Sequence, residues 1–382
     1  MPTHRKFNAE KFISSFRGHE IELRALFAQQ GVETPSTFEL QSVHSILMHA
    51  SGDRVDRLVA SLHELNDLSS RVGREMIEQT CRAAGIEPPG EDVPNERAAC
   101  WLHVHKPQLF EHAIELLAVR SVRGSRVALF PGRCPQPIAD AGVVADKMRD
   151  LMKEPLRALK KSENVHVRHY FDGDMFVTIV FCERTAEVQM EFGGPGATLV
   201  SRVRRPADQY VILYNQKSGD LEIEAGRPKE RELLRSTFAH AAFDDVSFFP
   251  ATEAACVLSL DCLVETGFNL PTRPGHTARI TALKLAGSHN RRKVCCDFRA
   301  GRTDLIDFLE QRHILGAAVD GMSVESARIE LVIEPTRAGR KTIEVTGANG
   351  IKFNRESHAD VVYDYLRNWR LMRDDLADQS AA

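Results

Sequence analysis

The sequence lacks most of the patterns that announce a chemistry. No stretch approaches the roughly 18–20 uninterrupted apolar residues of a membrane span, so no membrane partner is expected. Residues 1–11 carry charges without the apolar core of a signal peptide, which points to a cytoplasmic chain. There is no GxxxxGK[ST] loop, no GxSxG elbow and no HExxH helix. Gly193-Gly-Pro-Gly196 lacks the spacing of a dinucleotide fingerprint. These absences remove the common nucleotide, hydrolase and metalloprotease templates, and no cofactor is expected. The eight cysteines include no CxxC pair, so reduced thiols are expected rather than a zinc ribbon or a disulfide framework. Aromatic residues make up 7% and no basic–aromatic motif is present, which leaves single-strand stacking without its usual platform. The net charge of −3 excludes a polycation, so any nucleic-acid contact must come from a local patch.

What is present is ordinary globular material: 382 residues, 43% hydrophobic and 27% charged, enough for two or three domains. From Phe12 to about residue 121 the apolar period is helical. Gly18 offers a break, Asp53 a cap, Gly85 a stop, Pro88-Pro89-Gly90 a loop and Pro107 a first-turn proline. The pattern predicts six or so packed helices, among them a segment from Ser36 carrying Leu40, Val43, Ile46 and Leu47. The period changes across 121–137. A strand at 126–130, a helix over 140–162 and strands at 165–171 and 175–181 around Asp172-Gly173 follow. Stretches 187–192, 198–203, 210–214 and 221–224 read as the rest of one meander, and Pro228 opens another helix. The expected class is α+β. A helical domain at 1–122 precedes an antiparallel-sheet domain at 123–250 and a second α+β domain at 251–382.

The last hundred residues suggest an internal duplication. Ala278-Arg279-Ile280 returns 49 positions later as Ala327-Arg328-Ile329, and Leu283, Val294 and Cys296 match Val332, Ile343 and Val345. Each stretch is followed by a periodic segment, around Asp307-Phe308-Leu309 and around Asp364-Tyr365-Leu366, which predicts a tandem ββα unit. Its turns are basic: Arg291, Arg292 and Lys293 in the first, Arg337, Arg340 and Lys341 in the second. Two such turns on one side would form a ridge able to straddle a DNA or RNA backbone. Exposed hairpin tips also tolerate Arg and Lys freely.

Three further clusters are each ambiguous. Cys100, His103, His105 and His112 have zinc-ligand types, but His105 turns away from the face that Cys100 and His103 share, and no second ligand pair follows. His166 and His169 lie three apart on a strand and so face opposite sides. Asp172 or Asp174, with Glu187 and Gln189 on a neighbouring strand, resembles the acidic core of restriction-type nucleases; Gln189 stands where that family commonly has lysine. No metal site is expected. Arg202, Arg204 and Arg205, and Arg120, Arg123 and Arg126, form local positive stripes that also suit a solvated face. The expected function is that of a non-enzymatic binding or regulatory protein. Its helical domain would take a protein partner, and its C-terminal sheet nucleic acid or another subunit. The alternatives are a metal-dependent nuclease or hydrolase in the central sheet, and a protein-binding subunit of a bacterial defence or regulatory complex.

Overall fold

The computed structural model describes residues 7–33, 42–43, 45–46, 52–122, 126–159, 161–192, 199–250, 257–265, 268–289, 292–299, 304–306, 322–334, 336, 339–347, 349–354 and 358–372. It divides into two compact units, Met1–Ser121 with Glu187–Arg204, and Val122–Ala186 with Arg205–Ala382. The class is α+β.

The helices of the first unit are α1 (Ala9–Ser14), α2 (Ile21–Gln29), α3 (Asp53–Leu68), α4 (Arg71–Ala83), α5 (Asn95–His105) and α6 (Pro107–Val122). Local chemistry sets their ends. Asn8 accepts a hydrogen bond from the Lys11 N–H at 3.0 Å, and Ser70 accepts one from Gly73 at 2.9 Å. Gly18 and Gly85 take positive φ at the breaks. Asp53, expected as a cap, is the first helical residue of α3, and Gly52 precedes it with φ 126°. A Cβ at Gly73 would lie 2.2 Å from the Leu68 carbonyl oxygen, so the turn from α3 to α4 closes only around glycine. Buried Arg74 donates to the carbonyls of Gly90 (2.8 Å) and Val93 (3.2 Å), tying the Pro88–Gly90 loop to α4. Leu23, Leu26, Phe27, Leu58, Leu65 and Ile77 are fully buried. Most of the helix expected from Ser36 falls outside the described residues.

The second unit is built on one antiparallel sheet of ten strands. The strands are β1 (Arg126–Phe130), β2 (Val165–Asp172), β3 (Met175–Glu183), β6 (Ala207–Asn215), β7 (Leu221–Glu224), β8 (Thr277–His289), β9 (Arg292–Arg299), β10 (Met322–Val332), β11 (Arg340–Thr346) and β12 (Gly350–Lys352). The numbers β4 and β5 belong to Glu187–Phe192 and Leu199–Arg204. Spatial order is β2-β3-β6-β7-β1-β12-β11-β10-β8-β9. The loop between β2 and β3 is Gly173-Asp174, with Gly173 at φ 59°.

β1 organises this unit. Val127 and Leu129 belong to one core with β8, β10, β11, β12 and helix α9 (Ala359–Asn368). Ala128 and Phe130 belong to another with β3, β6, β7 and helices α7 (Ala141–Ala158) and α8 (Pro228–Phe243). Because side chains alternate along a strand, the two cores lie on opposite faces of one sheet. β1 is therefore apolar at every position from 127 to 130, as a strand buried on both faces must be. The boundary expected at 250 falls inside this unit, since β1 pairs with β12: Val127 lies opposite Ile351.

Two expectations are corrected by strand pairing. The meander does not run straight on from β3, because β6 pairs with β3 and β4–β5 form a separate two-stranded sheet. The 49-residue equivalence also fails. Leu283 pairs with Phe298, whereas its match Val332 pairs with Arg340. Alternation made the sequences look alike without fixing the register. Both hairpins exist, and the second is followed by α9; residues 307–309 lie outside the described residues.

Candidate functional site

Strand pairing sets Arg292 and Lys293 on β9 and Arg340 and Lys341 on β11 at opposite ends of the sheet. β8 and β10 are antiparallel neighbours, with Gly287 opposite Met322 and Thr277 opposite Val332. The β8–β9 turn therefore leaves one end of the sheet and the β10–β11 turn the other, about 33 Å away at the rise of a strand. Arg291 and Arg337 lie outside the described residues, as do the side chains of Arg292 and Lys293 on β9. Arg340 is 66% exposed and lies 3.5 Å from Glu330. Lys341 is 3% exposed, because it shares the core face of β11 with Ile343 and Val345. Arg340 and Lys341 line an open groove with Thr336, Thr342, Asn354 and the carboxylate of Glu334.

The nuclease-like arrangement does not assemble in the sheet. Glu187 and Gln189 lie on β4, which does not neighbour β2 or β3. Asp174 pairs with Lys217 at 2.7 Å. Among the described residues no group of three or more His, Cys, Asp or Glu side chains is arranged to hold a metal ion. Cys100 is fully buried in α5 and its thiol is pushed far up by that burial. Burial lowers His103, whose ring meets Phe110 edge-on at 4.6 Å. His105 packs on Trp101, and His112 lies 3.8 Å from Glu115.

The most unusual surface is the β4–β5 hairpin. Its register places Val188 opposite Val203 and Met190 opposite Ser201, on the face that Leu199 shares. Glu187 opposite Arg204 and Gln189 opposite Arg202 take the other face, with Val200. Val188 is 67% exposed, Met190 59%, Leu199 53% and Val203 66%. An isolated two-stranded hairpin is marginal in water even with one face covered. Here the face that would be covered is open.

The hairpin's stripes were visible in the sequence as two runs of period 2 around a glycine-rich turn. Their importance was hidden, because pattern alone placed β4 and β5 inside the meander. No protein-family model and no curated protein matches this chain.

Proposed function

We propose that this is a non-enzymatic binding protein and that the β4–β5 hairpin is where a protein partner docks. The observation that carries the reading is the apolar face of Val188, Met190, Leu199 and Val203, open to solvent on one side of a two-stranded sheet. Contiguous apolar patches rimmed by polar residues mark interaction surfaces, and scattered single ones do not. The partner's chemistry follows from the hairpin's two faces. On the other face Glu187 stands opposite Arg204 and Gln189 opposite Arg202, so charge is carried by the face away from the apolar stripe. What remains to be covered is uncharged, which fits an apolar protein surface better than a phosphate backbone. The hairpin belongs to the same compact unit as the helices, the part of the chain expected to meet a protein. Installing a photo-crosslinking residue at Met190 in cells that express the protein tests this. A discrete adduct that Val203→Asp abolishes is expected; a smear of adducts, or one indifferent to Val203→Asp, would reject the hairpin as the docking element.

A second reading has its own observation. Exposed Arg340 shares its groove with Thr336 and Thr342, residue types suited to a phosphate oxygen. On this reading one end of the C-terminal sheet touches DNA or RNA through a few contacts, and Glu334 in the same groove limits the charge available. Anisotropy titrations of a labelled oligonucleotide over a range of salt concentrations test it, as set out in the Discussion.

A further inference from the structure

Among the described strands, β2 closes one side of the ten-stranded sheet and pairs with β3 alone. Its register to β3 runs unbroken from Val165–Cys182 to Asp172–Met175. The strand has no proline, no lysine and no bulge, devices that keep a sheet edge from pairing with another chain. The direction of its backbone groups follows from one hydrogen bond: the Glu183 N–H donates to the Asn164 carbonyl at 3.1 Å. Residues two apart turn their backbone groups to the same side, so the even-numbered positions of β2 face β3. The N–H and C=O groups of Val167, His169 and Phe171 therefore lie along the outer edge. Val165 and Val167 pack against the core under α7 and α8. The Phe171 ring meets Phe176 at 5.2 Å yet stays 48% exposed. His166, Arg168, Tyr170 and Asp172 take the opposite face, where His166 and Arg168 are exposed.

The order of these residues is self-complementary. Antiparallel pairing of two β2 strands about His169 sets Val167 against Phe171 of the second copy, once on each side of the axis. The outward backbone groups then meet as hydrogen-bonded pairs, and each exposed phenyl ring is covered by a valine. On the opposite face the same register sets Arg168 against Tyr170 and His166 against Asp172, with Arg168 diagonal to Asp172. The basic half of each strand thus meets the half that ends in a carboxylate. Centring the pair one residue earlier would set Arg168 against Arg168, and one residue later would run Val167 into the turn at Gly173. We propose that β2 is the edge through which this chain pairs with a second copy of itself, two sheets joining across a two-fold axis at His169. The contact is one strand wide, at the small end of specific interfaces, and suits a dimer that dissociates in the micromolar range. The β4–β5 hairpin takes no part in it.

Sedimentation velocity of the purified full chain over a concentration series tests the proposal, and a monomer–dimer equilibrium is expected. Phe171→Lys should weaken dimerisation by about tenfold or more, the scale of one buried aromatic side chain. His169→Pro should do the same with an unchanged circular dichroism spectrum, because the N–H it removes is not bonded to β3. Ile21→Lys, at an exposed apolar residue of α2, and Val188→Asp/Val203→Asp should leave the equilibrium unchanged. The axis is read by a short bismaleimide, which should link His169→Cys into a covalent dimer in higher yield than Asn164→Cys, whose residue lies at the far end of the strand. A wild type that stays monomeric at its highest soluble concentration would overturn the proposal. So would a dimer indifferent to Phe171→Lys, one dissolved by Val188→Asp/Val203→Asp, or equal crosslinking at 164 and 169.

Discussion

Val127 and Ala128 are adjacent in β1 and belong to different hydrophobic cores, one on each face of the ten-stranded sheet. The strand is the structural hinge pin between residues 165–249 and the C-terminal hairpins, so the two cores should fail together. Leu129→Ala empties one core and Phe130→Ala the other. Each should cost about 2–5 kcal/mol, the range for a buried large-to-small change. Urea unfolding followed by tryptophan fluorescence and far-ultraviolet circular dichroism should show the same displaced transition for both variants. A Phe130→Ala protein whose C-terminal core melts at the wild-type midpoint would mean that the cores are independent.

Adjacent residues 340 and 341 should behave differently. Arg340 is exposed, so Arg340→Ala should change stability by no more than about 0.5 kcal/mol. Lys341 lies along the core face of β11, and Lys341→Ala should cost about 1–2 kcal/mol through lost packing of its stem. If the groove contacts a phosphate, Arg340→Glu should also reduce the log–log salt slope of oligonucleotide binding by roughly 0.7–0.9. An unchanged slope would leave Arg340 outside the contact.

Asp220 predicts a pH dependence with a definite sign. Its carboxyl is raised above the ordinary value of 3.8, first by burial and then by Glu222, while Ser218 and Arg367 pull the other way. The folded state therefore holds this proton more tightly than the unfolded state does. Its contribution to stability is present at acid pH and is lost as pH climbs from 3.8 through the raised value. Asp220→Asn should match the wild type near pH 4 and exceed it at pH 7. Denaturation midpoints at the two values check this, and an Asp220→Asn protein less stable than wild type at pH 7 would contradict it.

The thiols should separate into two classes. Cys134 and Cys295 are exposed, whereas Cys81, Cys100, Cys182 and Cys262 are buried. Burial pushes the Cys182 thiol up to about 11. Brief alkylation of the folded protein, read by peptide mass spectrometry, should label Cys134 and Cys295 first. Rapid labelling of Cys182 would show that the sheet between α7 and β6 opens.

Periodicity made the helix-to-sheet change near residue 126 and most element types legible, because a face is encoded by local spacing. Partners are not encoded that way. Nothing in Val-Ala-Leu-Phe says that Val127 will lie opposite Ile351, and nothing in Glu187–Phe192 says that β4 will miss the main sheet. The 49-residue match between Leu283 and Val332 was a product of alternation, and the register of their partners undid it. The basic turns were legible as composition, but their placement at opposite ends follows from β8 lying antiparallel to β10. The hydrogen bond from Tyr363 to Glu222 was out of reach for the same reason, since the two are 141 residues apart.

The hairpin reading is tested most directly by the native size of the protein in extracts of cells that express it, compared with Val188→Asp/Val203→Asp. Both side chains are already exposed, so the double variant should melt within a degree or two of wild type. On gel filtration the wild type should elute in a discrete assembly larger than the isolated chain, and the variant should elute at the position of the isolated chain. A well-folded variant that co-elutes with the wild-type assembly would contradict the claim that the open face of β4–β5 is the docking surface.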